Sequence, residues 1–395
     1  MGGRGAAVQR ADPSAPGMSG ESRPLRIGVL LRHIEEKGGI AVYTKNLLET
    51  LFRIDETNSY LLLYSRPSQR GRIALGPRVT EHLLTFPTKL LWDQIRVPVF
   101  AARRSIDLIF QPKLSIPMLG RFARVFTLHG AEQFEAPEAF AAGDRLYTRL
   151  AMPLYCRRAD AVLLGTETAA RSAAAHLGVD PSRFVAIPLA AHSRFRPVGR
   201  EEALAVAARY GVAPPYLLFV GGLAPLKNFG NLLRAFASIA KGRPHLLLAP
   251  GFLRRAWSAD LALLEELGLA GRVRFPGFVP DEDLPALYSL ADLLVLPSLS
   301  EGFGIPIVEA MACGCPVVAT RAGGCPEVAG DAAVLVDPRD PAAIAGGILR
   351  VLEDPALRED LIARGLQRAS QFCYERTARE TLALFERIAA ARSGR

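Results

Sequence analysis

The chain has 395 residues, half of them hydrophobic, and carries a formal net charge of +9. That length accommodates two α/β domains with sizeable cores, and no apolar run approaches the roughly 18 to 20 residues that span a bilayer. The positive excess lies in residues 25–199 while 200–395 is near balance, which suits an anionic partner for the N-terminal half; sparse aromatics and the lack of a recognition motif argue against nucleic acid.

Residues 1–24 are mostly Gly, Pro, Ser, Ala and Arg and lack the apolar core of a secretory signal, so a disordered tail is expected, with Met18 an alternative start. From residue 26 onward apolar runs alternate with helical patterns, the mark of parallel α/β architecture. Strands are predicted at 26–31, 60–64, 108–110, 125–128 and 161–164. After the first, GGIAVYTKNLLETL reads as a glycine turn opening an amphipathic helix. Gly38 and Gly39 let backbone approach a ligand closely, although a plain tight turn uses the same pair.

Within residues 90–100, Leu91, Trp92, Ile95 and Val99 stand at helical spacing, followed by Arg103 and Arg104. This fits a membrane-facing amphipathic element or core packing. Pro98, which should interrupt the helix, favours the core. His129 ends the fourth strand, where a satisfied structural histidine is the plain alternative to a functional one.

Pro197, Gly199, Pro214 and Pro215 mark 196–215 as an interdomain connection. A second strand series is predicted at 216–220, 246–249, 273–275, 293–296, 316–319 and 334–336. The expected organisation is thus a tail at 1–24, domains at 25–196 and 197–375, and a closing helical segment at 376–395. The five cysteines (156, 313, 315, 325 and 373) show no paired CxxC spacing and read as small core thiols in a reducing cytosol.

The segment 297–320, PSLSEGFGIPIVEAMACGCPVVAT, carries the strongest chemical signal. An apolar strand leads into a Ser- and Gly-rich turn and then a helix entered through Pro306. Such a unit is an anion site, because backbone N–H groups and the positive helix end converge there. Glu301 in the turn and Glu309 in the helix accept hydrogen bonds only, so they call for hydroxyl groups. Eight helical positions would separate them by ~12 Å, beyond the roughly 5 to 9.5 Å of a glycosidase pair. A ligand with phosphates at one place and hydroxyls at its ends fits: a nucleotide sugar. Lys227, between the strand YLLFV and a helix that Asn228 is placed to cap, is positioned for a pyrophosphate. Asp281 and Asp283 form an Asp-x-Asp, but after Pro280 and before LPALYSL they read as an acidic first helical turn. No metal is expected.

EGFGIPIVEAMACGCPVVAT resembles the Glu-x7-Glu signature of glycosyltransferase family 4, the group 1 glycosyltransferases. FPGFVPDEDLPALYSLADLLVLPS before it and AGGCPEVAGDAAVLVDP after it are similar too, and the likeness runs over about residues 27–385. The resemblance implies a GT-B fold, with two Rossmann-like doubly wound domains facing a cleft. It further implies a retaining, metal-independent enzyme that uses no cofactor beyond its nucleotide-diphosphate sugar substrate. Glu309 would hold the ribose and Glu301 the transferred sugar; Phe303, Gly304 and Ile305, with Lys227, would take the diphosphate. GGIAVYTKNLL looks like the family's Gly-Gly-Ile-Gly-x-Tyr loop, which places Gly38 and Gly39 opposite the diphosphate. His129 matches the strand–His element near the sugar, making Glu301 and His129 the catalytic candidates. FCYERTARETLALF looks like the Phe-Ser-Trp-Glu crossover motif, with Tyr374 in place of Trp.

Two departures from the pattern stand out. Gly222 occupies the usual position of an Arg, removing one phosphate cation, and Gly130 replaces an Asp. They leave room for a non-catalytic nucleotide-sugar-binding partner subunit, which transfer or donor hydrolysis would exclude; a GT-B-fold sugar-nucleotide epimerase lacks a motif of its own. The expected partners are a nucleotide-sugar donor and a glycan or lipid-linked acceptor in cell-surface polysaccharide synthesis, with mannose the sugar suggested by bacterial relatives. The expected location is cytoplasmic, with peripheral contact at the anionic inner membrane face through the basic N-terminal half.

Overall fold

The computed structural model describes residues 8–10, 23–36, 38–251 and 257–393. Contacts divide the chain into two units. Unit one comprises Met1–Ala131, Ala142–Leu189 and Tyr374–Arg395, and unit two comprises Glu132–Ala141 and Ala190–Cys373.

Unit one is built on a parallel sheet of β1 (Gln9–Arg10), β2 (Arg26–Leu30), β3 (Ser59–Tyr64), β4 (Val79–Leu83), β5 (Leu108–Gln111), β6 (Ala123–Thr127), β7 (Ala161–Leu164) and β8 (Phe184–Ala186). The order among the described residues is β1-β8-β7-β6-β5-β2-β3-β4. Strands β5, β6 and β7 are buried at every position, as expected of strands covered on both faces, and their apolar runs reflect it. Most of the stretch expected to be a disordered tail lies outside the described residues. Gln9–Arg10, however, pairs in parallel with Val185 and Ala186, so this piece of it is strand. The helix Tyr374–Ser393 packs within this unit: Thr377 donates to the Pro188 carbonyl at 2.8 Å, and buried Phe385 meets Phe110 at 5.2 Å between ring centroids.

Unit two carries β9 (Tyr216–Leu218), β10 (Leu246–Leu248), β11 (Val273–Arg274), β12 (Leu293–Leu296), β13 (Val317–Thr320) and β14 (Val334–Val336), all parallel. Their order is β11-β10-β9-β12-β13-β14. Phe219, Phe229, Phe236, Leu293, Val318 and Ile348 are central to its apolar core, each such burial contributing roughly 1.5–3 kcal/mol. In both units the strand order reverses once, between β2 and β5 and between β9 and β12. Open α/β sheets bind ligands outside the carboxyl ends of the strands at such a reversal. The loops to inspect are therefore those that follow β2 and β5, and β9 and β12.

The segment at residues 90–100 departs from expectation. Pro98 does not interrupt it; a π-helical stretch at Trp92–Arg96 runs directly into helix Val97–Arg103, with Pro98 in its first turn. The proline falls where the helix has widened, the Val97 N–H reaching back five residues to the Trp92 carbonyl, and such a bulge lets a helix continue past a proline. Trp92, Val97 and Ala101 enter the core, but Leu91, Ile95 and Val99 remain exposed. The core reading therefore holds for only one of the four residues that suggested it.

Candidate active site

In unit two the loops after β9 and β12 are fastened to each other. The Leu299 amide donates to the Leu226 carbonyl at 2.9 Å. Asn228 has left-handed backbone (φ 56°) and makes no side-chain cap. Its amide nitrogen instead donates to the Pro297 and Pro338 carbonyls at 2.9 and 2.6 Å. The residue expected to cap a helix is thus a clasp between loops.

This clasp sets Lys227 against Glu301. Lys227 Nζ donates to Glu301 Oε1 at 2.5 Å, and Ser298 Oγ donates to the same oxygen at 2.6 Å. Burial disfavours the lysine's charge, but the Glu301 carboxylate outweighs it and holds its pKa above the usual value. Gly304 precedes helix Ile305–Ala312 with φ 84°, a conformation open to glycine without strain. Phe303 is buried with its ring edge-on to Phe372, centroids 5.5 Å apart. Glu309 lies on that helix, where Tyr288 Oη donates to its Oε2 at 2.9 Å. Burial lifts the Glu309 carboxyl to about 7, with Asp281 adding to the effect and the Tyr288 bond opposing it.

Two further carboxylates escaped the sequence reading. The Gly302 amide donates to Glu132 Oε1 at 2.8 Å, and Ser300 Oγ donates to Glu135. Burial raises the Glu132 carboxyl to about 7; Glu301 pushes the same way, while the Gly302 amide and Lys227 pull against it. Their signal was faint: two Glu three positions apart, just past the His129 strand end.

In unit one, Gly38 has φ 129° directly before helix Gly39–Ile54, a conformation that side chains other than glycine rarely adopt. His129 Nε2 bonds the Pro112 carbonyl at 2.8 Å, and its ring stands edge-on to Tyr43 at 5.3 Å. A carbonyl only accepts, so Nε2 carries the proton and Nδ1 of the neutral ring is an acceptor. Burial lowers the His129 pKa to about 4. His33, not singled out from sequence, sits in the loop after β2. Its Nε2 bonds Thr44 Oγ1 at 2.9 Å, and that hydroxyl donates to the Ile40 carbonyl. Burial, helped by Lys113 and His129, lowers its pKa to about 3. Position alone could have flagged it, since it follows the first strand of a doubly wound sheet.

The structure thus brings Lys227 and Glu301 into contact and places Phe303, Gly304, Ile305 and Glu309 on the adjoining turn and helix. Gly38, Gly39 and His129 belong to the other unit. The acidic first turn expected at Asp281 and Asp283 is not one. Asp283 lies just before helix Leu284–Leu290 and accepts from Arg209 at 2.7 Å and from Tyr210. Among the described residues no group of three or more His, Cys, Asp or Glu is arranged to hold a metal ion, and no helix is long and apolar enough to cross a membrane.

Two parallel doubly wound sheets, with the buried Lys227–Glu301 pair at the reversal point of the second, are the architecture of a GT-B-type protein. The family model described as glycosyl transferases group 1 matches residues 208–368. O-antigen chain mannosyltransferase B of Escherichia coli is 35% identical over 326 residues, 80% of this chain and 84% of that protein. Sucrose-phosphate synthase from Thermosynechococcus elongatus superposes with a TM-score of 0.76 at 22% identity, covering 93% of this chain and all of that one. Anabaena HepE in complex with UDP-glucose gives 0.72 at 21% identity, covering 94% of this chain and 100% of that one. The chain belongs to the group 1 glycosyltransferases.

Proposed function

We propose that this enzyme transfers a hexose, mannose in the first instance, from a nucleotide-diphosphate sugar to a glycan or lipid-linked acceptor in cell-surface polysaccharide synthesis, with retention of configuration and without a metal. The observation that carries the reading is the Lys227–Glu301 pair beside the Gly302–Phe303–Gly304 turn at the reversal point of unit two. Its likeness to an O-antigen mannosyltransferase supports the sugar and the pathway class, and the UDP-glucose held by Anabaena HepE supports the donor class.

Lys227, the turn amides and the N-terminal end of helix Ile305–Ala312 stabilise the departing diphosphate, the task that a divalent cation performs elsewhere. Glu309 accepts from ribose hydroxyls and Glu301 from hydroxyls of the transferred sugar. In unit one, neutral His129 offers Nδ1 as an acceptor for a hydroxyl, and Gly38 and Gly39 leave the backbone of their loop open to close approach by a ligand. The acceptor oxygen bonds the anomeric carbon on the face that the diphosphate leaves. The anomeric C–O bond breaks, and the leaving phosphate oxygen takes the acceptor's proton.

The test is a transfer assay with nucleotide sugars and EDTA, with and without acceptor, following nucleoside diphosphate release. Release that survives EDTA and is lost in Glu301→Ala supports the reading. Release that requires added metal overturns its metal-free part, and nucleotide binding without any turnover favours a binding subunit.

A further inference from the structure

Residues 132–141, EQFEAPEAFA, hold three glutamates and no lysine or arginine. Glu132, Glu135 and Glu138 recur at every third position, through helix Glu132–Glu135 and a short 3₁₀ turn at Pro137–Ala139. That spacing keeps the three on neighbouring faces. The segment is part of unit two, and each glutamate has a partner there. Glu132 Oε1 accepts from the Gly302 amide at 2.8 Å, Glu135 accepts from Ser300 Oγ, and Glu138 pairs with Arg339 at 3.3 Å. The first two partners lie in the turn between β12 and helix Ile305–Ala312.

The Gly302 amide is aimed by the fold rather than by Glu132. It shares one planar peptide group with the Glu301 carbonyl, and in a trans peptide the C=O and N–H point in opposite directions. The Gly324 amide donates to that carbonyl at 2.7 Å, and a Cβ at Gly323 would collide with its oxygen. With the carbonyl seated against these glycines, the N–H must point away from them, as a donor to whatever anion stands opposite.

Glu132 fills that place at a cost. Burial lifts its carboxyl to about 7 and Glu301 adds to the rise, against the pull of its own amide, the Gly302 amide and Lys227. A diphosphate offers the same amide and Lys227 more oxygens and more charge, and two anions cannot share one N–H and one cation at full charge.

We propose that residues 132–141 are an acidic strap that stands in for the diphosphate, with Glu132 on the Gly302 amide and Glu135 on the Ser300 hydroxyl, and that the donor binds by displacing it. The inference rests on the transferase reading, which assigns this turn to the diphosphate, and adds a self-inhibitory contact to it. Donor affinity is then reduced by the share of molecules in which the strap is engaged.

The test titrates the full chain with GDP and with UDP, in EDTA at pH 8. Hydrogen exchange is followed by mass spectrometry with and without nucleotide. Glu132→Ala with Glu135→Ala should tighten binding of the accepted nucleotide by about tenfold or more, the scale of a hydrogen bond to a charged group. In the wild type, nucleotide should speed exchange across residues 132–141 and slow it in the 300–304 turn. The exchange result needs no substitution, so it decides the matter even where the double variant is unstable.

Unchanged or weaker nucleotide binding in a double variant of wild-type thermal midpoint overturns the proposal. So does nucleotide-induced protection of residues 132–141, the mark of a segment that closes on the ligand. Binding of neither nucleotide, by wild type or variant, overturns the strap and the donor site together. Donor turnover with exchange across 132–141 unaffected by nucleotide sinks the strap alone. Tighter variant binding and faster exchange, without turnover of any donor, leave the strap standing and remove the transferase reading.

Discussion

Both units reverse their strand order once, yet they set different chemistry at that point. In unit two the loops after β9 and β12 hold a charged pair, Lys227 on Glu301, with the Glu132 carboxyl beside it. In unit one the loops after β2 and β5 also carry a Lys–Glu pair, Lys113 on Glu36, but it is more exposed than the pair in unit two, and near Lys113 stand two neutral imidazoles, His33 and His129, tied to a hydroxyl and a carbonyl. Strand order decides where loops converge. The few residues after each strand decide how far the charge gathered there is buried and what stands beside it.

The sharpest way to break this comparison is to remove the charge. Lys227→Ala should cut turnover by about 10²–10³-fold, the range seen when a single transition-state donor is lost. His129→Asn should cost less, because it exchanges one uncharged acceptor for another and removes no charge. Equal losses in steady-state kinetics would erase the distinction between the units.

Proton linkage separates the units next. The Glu309 carboxyl is raised to about 7, so the folded state keeps its proton where the unfolded chain has lost it. Stability from this group is full below about 4.5 and declines as pH rises through about 7, by on the order of 3 kcal/mol. Glu309→Gln should remove that decline from thermal midpoints measured against pH. His129 has the opposite sign. Its pKa is lowered to about 4, so its contribution is full above about 6.5 and declines as pH falls toward about 4. His129→Asn should flatten the acid limb, and no change in that limb would contradict its neutral, buried state.

Smaller effects test the scaffold. Asn228→Ala removes two bonds to loop carbonyls and should cost about 1–3 kcal/mol in denaturant unfolding, whereas Asn228→Ala at full stability would deny that the clasp matters. Leu150 is 63% exposed on helix Ala142–Arg158. Leu150→Gln should therefore change stability by no more than about 0.5 kcal/mol; a larger loss would mean that this face is covered in solution.

Much of the unit-two site was readable because it is local. Glu301, Gly304, Ile305 and Glu309 fall within one strand–turn–helix, and Lys227 follows a strand in a recognisable context. Glu132 was not readable, because its role depends on the amide of Gly302, 170 positions away. Asn228 was misread for a related reason: its side chain answers to carbonyls at 297 and 338 rather than to its own helix. The stripe at Leu91, Ile95 and Val99 was misassigned because periodicity reveals that a helix has a face but not which way it turns. Trp92 took the core, and its helical neighbours were left on the outside.

The most direct measurement is a thermal-shift titration of nucleotide sugars, GDP-mannose first, in EDTA, on wild type, Lys227→Ala and Glu309→Gln. A ligand that binds only the folded state raises the midpoint. The account predicts that one donor stabilises the wild type in EDTA and that both substitutions diminish the shift. A shift that appears only with added divalent metal, or that survives intact in both variants, would contradict it.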